Sequence, residues 1–228
     1  MLCGRRLLSR RLRREQILTI ARRSFLENGY SRTSMSAIAA ELGGSKGTLW
    51  SHFSSKDALF EAVLAAAAAS FQSGIIELLV PSATLDKTLK NFCVTYLKRA
   101  TSMDAVKMFR LIAAEKERLP DICQLLNDCM SRATQSALED FFQSLVQAGL
   151  IAEFDPRLLA RSLVNLCLGS VFRRVFFNDV ASGQDEIEIE AESISRFILA
   201  TVEVKRPALM RPAAKRASQA ALSTCAPR

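Results

Sequence analysis

The fold is decided by residues 33–56, which read TSMSAIAAELGGSKGTLWSHFSSK. The first half places apolar side chains at the i, i+3, i+4 and i+7 spacing of one helical face: Met35, Ile38, Ala39 and Leu42. A hydroxyl at position 33 or 34 can cap the start of this helix, and the glycines at 43 and 44 can end it. A second short helix then begins after Ser45. The stretch predicts two helices joined by a tight turn.

The second of these helices has an inner and an outer side. Leu49 and Phe53 are four residues apart and are expected to point inward. The remaining side chains, which are expected to face solvent, are a cation, a hydroxyl, an indole and an imidazole: Lys46, Thr48, Trp50 and His52. Such a surface suits a nucleic acid better than a protein core. A helix, a glycine-containing turn and a second helix form the arrangement that places a recognition helix in the DNA major groove.

Charge is distributed unevenly along the chain, which has a net charge of +8. Residues 1–60 hold 11 basic and 4 acidic groups, and residues 204–228 hold 6 basic and no acidic groups. The segment between them carries 14 basic and 19 acidic groups. Cationic ends and an acidic centre separate a part that binds a polyanion from a part that need not touch it.

Composition favours an all-α protein of the reducing cytoplasm. Alanine and leucine dominate the 49% hydrophobic content, and no segment alternates Val, Ile or Tyr with polar residues. Six cysteines without a CxxC pair argue against a disulfide framework. The chain starts without the apolar run of a signal peptide. The apolar run Ala62–Ala69 is too short to span a bilayer, so we expect a soluble, cytoplasmic protein without a membrane partner.

Composition and helical periodicity predict four segments along the chain. They are a disordered basic arm over 1–9, a three-helix DNA-binding head over 10–56, a larger helical domain over 57–203 and a disordered basic tail over 204–228. The head begins with a helix over about 10–28, led by arginines that either follow phosphates or only add nonspecific attraction. A continuous rod is predicted from Lys56 to about Leu79, joining head to body as the transmission element. Further helices are predicted over about 82–101, 104–118, 121–148, 156–177 and 185–203.

A family resemblance rests on these same residues. Residues 46–60, KGTLWSHFSSKDALF, closely resemble the signature of the TetR/AcrR family of bacterial transcriptional regulators. Upstream matches in register extend the resemblance over roughly 10–64: Ile17-Leu18, Ala21, Phe25, Gly29-Tyr30, Thr33-Ser34 and Ile38-Ala39. Trp50 stands where the family usually has Tyr, and Gly44 where it usually has Val or Ala. Residues 110–120 and 155–160 look like the AefR-type C-terminal subgroup.

The resemblance implies which residues contact DNA. Thr33 and Ser34 would hold phosphate at the start of the first helix of the motif. The recognition helix would open with Ser45, Lys46, Gly47 and Thr48, with Lys46 reaching a base edge, most simply guanine. Trp50, His52 and Lys56 would contact the sugar-phosphate backbone.

The resemblance also implies the partners and the mode of action. Expected partners are double-stranded DNA carrying a near-palindromic operator, a second copy of the chain bound through the last two helices, and an unidentified small-molecule effector. The protein would be a ligand-responsive homodimeric repressor whose effector changes the spacing of the two recognition helices. No cofactor, metal or catalytic residue is expected. Six aromatic or sulfur side chains are candidate pocket walls or plain core: Phe92, Tyr96, Met108, Phe109, Phe172 and Phe176.

Two other functions compete with this one. An enzyme is disfavoured because a single histidine excludes two-His metal sites, and neither a glycine-rich phosphate loop nor GxSxG is present. An architectural DNA-binding protein without a sensor would explain the basic ends, but it leaves the acidic helical domain without a role. Footprinting separates these readings, since an architectural protein protects no discrete site.

Overall fold

The computed structural model describes residues 2–43, 46–79, 84–118, 131–177 and 183–202. Nine α-helices and one 3-10 helix lie in these ranges, which confirms the all-α prediction. The α-helices are α1 Leu2–Arg32, α2 Met35–Glu41, α3 Lys46–His52, α4 Lys56–Gln72, α5 Leu85–Ala100, α6 Met103–Glu115, α7 Ala133–Gln147, α8 Pro156–Phe177 and α9 Gln184–Thr201. The 3-10 helix, Ile76–Leu79, follows α4. The predicted tail and residues 121–130 of the predicted seventh helix lie outside the described residues.

Helix α1 is longer than the sequence predicts. It begins at Leu2, so the expectation of disorder over residues 1–9 is wrong for residues 2–9. Leucine and arginine are strong helix formers, and no proline interrupts this segment. Near the other end, Gly29 has φ 77° and interrupts the helical backbone close to the predicted end at residue 28.

Helices α1 to α4 form the head around an aromatic cluster. Phe25 and Tyr30 of α1 and Phe60 of α4 are all buried. The Phe60 ring meets the other two edge to face, at 4.9 Å from the Phe25 centroid and 5.0 Å from the Tyr30 centroid. This geometry is the favoured one for aromatic pairs. The cluster fixes α4 against α1 and so determines where the motif between them lies.

The head core also includes side chains from α6. Met108 and Ile112 are buried in the same cluster as the α1 and α4 residues, with Leu111 packed against it. Helix α6 therefore packs against the head as well as against the body. The predicted boundary at residue 56 separates sequence motifs but not hydrophobic cores.

Helix α4 ends earlier than predicted. It stops at Gln72, and Gly74 adopts φ 74°, so the prediction of one continuous rod to about Leu79 is wrong. Arg99 Nη1 donates to the carbonyl oxygens of Ser70, Phe71 and Ser73, which lie at this helix end. A left-handed glycine and a cation on the terminal carbonyls are a common way to stop a helix.

The body packs α5, α7, α8 and α9 around a second core. Its members include Phe92, Tyr96, Phe142, Leu163 and the free cysteines Cys93 and Cys167, which behave as small buried hydrophobes as predicted. Burial raises the pKa of the Tyr96 hydroxyl. The pKa of the Cys167 thiol is raised by its hydrogen bond with Cys93 and by burial.

Two predicted helix boundaries in the body are confirmed. Gly149 follows α7 with φ 67°, the left-handed conformation expected after a helix. At the start of α8, the Asp155 carboxylate accepts a hydrogen bond from the backbone N–H of Arg157 at 2.9 Å, and Pro156 is the first helical residue. These two boundaries delimit the short connection between α7 and α8, which are neighbours in the body.

The segment Lys56–Leu79 is long and apolar enough to cross a membrane by length and composition alone. Its hydropathy has a simpler explanation in the fold. Leu59, Phe60 and Leu64 are buried in the head core, and the helical backbone breaks at Gly74.

Candidate nucleic-acid interface

The predicted helix, turn and helix are present in the head. Ser34 precedes α2, and its Oγ accepts a hydrogen bond from the Ala37 N–H at 3.1 Å. Gly43 follows α2 with φ 66°. In α3, Leu49 is 0% exposed and in the next turn Phe53 is 5% exposed, which confirms the predicted inner side.

The outer side of α3 carries several of the predicted contact residues. Trp50 is 49% exposed, so its indole is accessible to a partner. Gly47 is exposed, while Thr48 and His52 are half-buried. Lys46 is the first residue of α3, and Ser45 lies outside the described residues. The structure thus brings Gly47, Thr48, Trp50 and His52 together on one short helix.

Arginines of α1 lie beside α3. The Arg14 guanidinium is 5.1 Å from the centroid of the Phe53 ring, and Arg13 Nη2 donates to the Leu42 carbonyl oxygen at 3.3 Å. Burial and the nearby charges of Arg10, Arg14 and Arg13 lower the pKa of His52 below 6.5. A lowered pKa favours the neutral form of the imidazole. We call Arg10, Arg13 and Arg14 the arginine cluster; it extends the outer side of α3 as a cationic surface.

Thr33 does not present its hydroxyl to solvent. The residue is 3% exposed, and Thr33 Oγ1 donates to the carbonyl oxygens of Gly29 at 2.8 Å and Ser24 at 3.1 Å. The predicted phosphate contact by this hydroxyl is not supported. Its hydrogen bonds instead hold the corner between α1 and α2. Ser34 is exposed, although its hydroxyl already caps α2.

Lys56 also has an internal role that the sequence did not reveal. Its Nζ donates to the carbonyl oxygens of Tyr30 at 2.9 Å, Thr33 at 3.0 Å and Ser31 at 3.4 Å. The same ammonium lies 4.3 Å from the centroid of the Tyr30 ring. With these partners around it, the ammonium holds the α1–α2 corner against the start of α4. The predicted contact with the DNA backbone is not supported by this geometry.

Replacing Lys56 tests this corner. In Lys56→Met the apolar stem is kept but the carbonyl oxygens lose their donor, so we expect the free energy of unfolding to fall by about 1–3 kcal/mol. The measurement is urea unfolding followed by circular dichroism. Lys107→Met, at an exposed position of α6, is the matched control and should change stability little. Equal stability of the two variants would contradict the structural role.

Helix α6 is tied to α1 near both of its ends. Near the start, Arg22 Nη2 of α1 pairs with Asp104 Oδ2 at 3.1 Å. Beyond the other end, the Arg118 guanidinium lies 4.7 Å from the centroid of the Tyr30 ring. Tyr30 donates its hydroxyl to Asp57, and burial together with that carboxylate raises the pKa of the hydroxyl. These contacts join residues that are far apart in the chain. No spacing pattern in the sequence therefore predicts them.

A cavity of about 400 Å³ lies where α1, α4, α5 and α6 meet. Its apolar wall consists of Ala67, Phe71, Ala105, Met108, Phe109 and Ile112. The charged side chains on it are Arg22, Lys98, Arg99 and Asp104. Volume and lining are typical of a small-molecule site.

Only two of the six candidate pocket walls line this cavity, namely Met108 and Phe109. Phe92 and Tyr96 lie in the body core instead, because they are on the side of α5 that faces the other body helices. Phe172 and Phe176 are 55% and 59% exposed on α8, so they are surface residues.

Exposed apolar side chains recur on α8 and, more sparsely, on α9. Large hydrophobic side chains that are more than a third exposed recur along both helices: Leu158, Leu166, Phe172, Phe176 and Phe177 on α8, and Ile189 and Phe197 on α9. Gly169 lies in the middle of α8, and a Cβ built there would meet nothing within 4 Å. We call this surface the α8–α9 face.

Two sequence profiles together cover most of the chain. Residues 17–63 match the profile of bacterial regulatory proteins of the tetR family. Residues 87–204 match that of the AefR-like transcriptional repressor C-terminal domain. The chain belongs to the TetR family of bacterial transcriptional regulators. The resemblance predicted from its residues is confirmed, including the AefR-type C-terminal part.

Individual relatives agree with the TetR-family assignment. The HTH-type transcriptional regulator YhgD of Bacillus subtilis is 24% identical over 162 residues, which is 70% of this chain and 83% of that protein. The regulator UidR of Escherichia coli is 47% identical over 51 residues, 22% of this chain and 26% of that protein.

Solved structures share the architecture over most of the chain. A TetR-family regulator from Mesorhizobium loti superposes with a TM-score of 0.80 at 25% identity, covering 86% of this chain and 98% of that one. The flavonoid-responsive regulator FrrA has a TM-score of 0.69 at 30% identity and covers 84% and 97%. This TetR-family protein is therefore a DNA-binding transcriptional regulator. Among its described residues, no group of three or more His, Cys, Asp or Glu side chains could hold a metal ion.

Proposed function

We propose that this regulator is a homodimeric repressor that releases its operator when a small molecule occupies the cavity beside α6. The proposal rests on one observation above all: the outer side of α3 is exposed beside the arginine cluster, while the same head shares its core with a cavity-lining helix. Binding and release involve no chemical step, and the protein would act in the bacterial cytoplasm.

The recognition helix would enter the major groove with its outer side. Lys46 and Thr48 would reach base edges, and Gly47 would let the backbone approach closely. Trp50 and His52 would meet sugar and phosphate. Ser45 and Ser34 would add hydroxyl contacts to phosphate. The arginine cluster would supply the salt-dependent attraction that positions the head on the duplex.

The α8–α9 face would join two copies of the chain. Large apolar side chains that are exposed along one side of a helix are typical of a protein interface, and Gly169 leaves room for a partner helix to approach closely. A two-fold dimer would place its recognition helices about 34–36 Å apart, in successive major grooves of a near-palindromic site.

Release would follow from a difference in affinity between two states. An effector that binds more tightly to a dimer with altered head spacing lowers operator affinity without touching the groove. The 30% identity with the flavonoid-responsive regulator FrrA over 84% of this chain supports a small-molecule response. The effect of ligand binding would be transmitted to the head through α6, which contributes to both the cavity and the head core.

Selection of genomic fragments by the purified protein tests the function directly. We expect enrichment of fragments that share a near-palindromic sequence, and footprinting should show one discrete protected site on each. Protection without a discrete boundary would support the architectural alternative and contradict the proposal.

Lys46→Ala tests the recognition helix. Losing a contact to a base edge is expected to weaken operator binding by about 1–3 kcal/mol, or roughly 5–150-fold, while leaving the dimer intact. Fluorescence anisotropy with the selected operator measures the affinity, and size-exclusion chromatography with light scattering checks the dimer. Lys87→Ala, on the exposed side of α5, removes the same charge far from α3 and is the matched control. Unchanged affinity for Lys46→Ala would remove this residue from the interface.

A further inference from the structure

The charges around the cavity indicate the chemistry of its ligand. Arg22, Lys98 and Arg99 contribute three positive charges, and Asp104 contributes one negative charge. Arg99 is already engaged with carbonyl oxygens at the end of α4. Lys98 has its ammonium 4.0 Å from the Glu188 carboxylate and is 41% exposed, so that pair holds it weakly. A site with excess positive charge and an apolar wall favours an anion with an apolar body.

Arg22 lines the cavity, and one of its donors is unused among the described residues. Its Nη2 pairs with Asp104, but Nε is buried without a hydrogen-bond partner among the described residues. Leaving a buried donor of a charged group unmet is unfavourable. A guanidinium binds a carboxylate best through two parallel N–H groups, and Nε with one Nη forms such a pair. The present contact with Asp104 uses only one of them.

We propose that the effector is an amphiphilic organic carboxylate, which binds Arg22 in place of Asp104. Its carboxylate accepts from Nε and one Nη of Arg22, and its apolar body packs against Phe71, Met108 and Phe109. The inference deepens the proposed function, because it assigns a ligand class to the cavity through which the repressor would be released.

The same exchange explains how binding reaches the head. Arg22 belongs to α1 and Asp104 to the first turn of α6, so the carboxylate removes a link between the head and the body. Met108 and Ile112 both line the cavity and lie in the head core. A ligand body that displaces these two side chains therefore moves α6 relative to α1.

Calorimetric titration of the full-length protein tests the ligand class. The probes are 4-biphenylcarboxylate and decanoate, each compared with its neutral primary amide. We expect at least one carboxylate to bind about tenfold or more tightly than its amide, because a charge-assisted hydrogen bond is lost in the amide. Amides that bind as tightly as the carboxylates, or binding by none of the four compounds, would overturn the proposal.

Substitutions on the two sides of the ion pair should have opposite effects. Arg22→Met is expected to weaken carboxylate binding about tenfold or more. Asp104→Asn is expected to strengthen it, since the competing carboxylate is gone. Arg23→Met removes a cation from the same helix, where it pairs with Glu41 away from the cavity, and should leave binding unchanged. A purely structural ion pair predicts that Arg22→Met and Asp104→Asn weaken binding alike, and that result would contradict the exchange.

Operator binding separates this inference from the proposed function. If the protein selects a discrete operator but binds neither carboxylate, the ligand class is wrong and the repressor proposal stands. If a carboxylate binds through Arg22 but operator affinity stays the same, the ligand class stands and release through this cavity is wrong. With both correct, the bound carboxylate lowers operator affinity for the wild type and has less effect on Arg22→Met.

Discussion

Gly169→Arg is expected to give a folded monomer that no longer binds operator DNA tightly. In the single chain a Cβ at position 169 meets no neighbour within 4 Å, and arginine favours a helix more than glycine does. In the proposed dimer the same side chain would enter the partner's surface. Losing the link between two half-sites lowers affinity by about 100-fold or more.

The measurement combines light scattering with operator binding by anisotropy. Ser136→Arg places the same side chain at an exposed position of α7, outside the α8–α9 face, and should leave mass and affinity unchanged. Circular dichroism should show that both variants remain helical. A Gly169→Arg protein that still has the mass of a dimer would place the interface elsewhere.

Phe60→Ala is expected to cause the largest loss of stability. The ring is fully buried and contacts both Phe25 and Tyr30, so its removal leaves a cavity at the centre of the head. Deleting a buried phenylalanine ring costs about 3–5 kcal/mol, a large share of the stability of a typical domain. Operator binding should be lost as well, because α3 is positioned by this core.

Thermal unfolding by circular dichroism measures this loss, together with the rate of proteolysis within the head. Met103→Ala is the comparison, since Met103 is 74% exposed and its truncation leaves no cavity. We expect a clearly lower melting temperature for Phe60→Ala only. If both variants melted together with the wild type, the aromatic cluster would not hold the head together.

Local patterns predicted the inner side of one helix and several helix boundaries. The spacing of Leu49 and Phe53 identified the inner side of α3 because a helix places residues four apart on one face. Gly149 and the Asp155-Pro156 pair marked helix boundaries for equally local reasons. In each case, the information needed lies within one or two helical turns.

Long-range partners were beyond such patterns. Lys56 donates to carbonyl oxygens 23 to 26 residues earlier in the chain, and backbone carbonyls have no sequence signature. From the sequence alone, a lysine that follows a recognition helix is therefore predicted to contact DNA. Similarly, Gly74 alone does not tell whether a helix continues. The end of α4 depends on Arg99, which approaches from the following helix.

Because α6 contributes to the head core, the head of this protein cannot be joined to another sensor domain without regard to α6. Because Met108 and Ile112 complete the packing around the DNA-binding helices, a fragment that stops after α4 would expose the side chains they cover. A chimera that joins this head to another sensor must therefore also transplant the matching surface of α6. Recombination at the apparent motif boundary would produce an ill-fitting hybrid, whereas changes on the outer side of α3 leave this shared core intact.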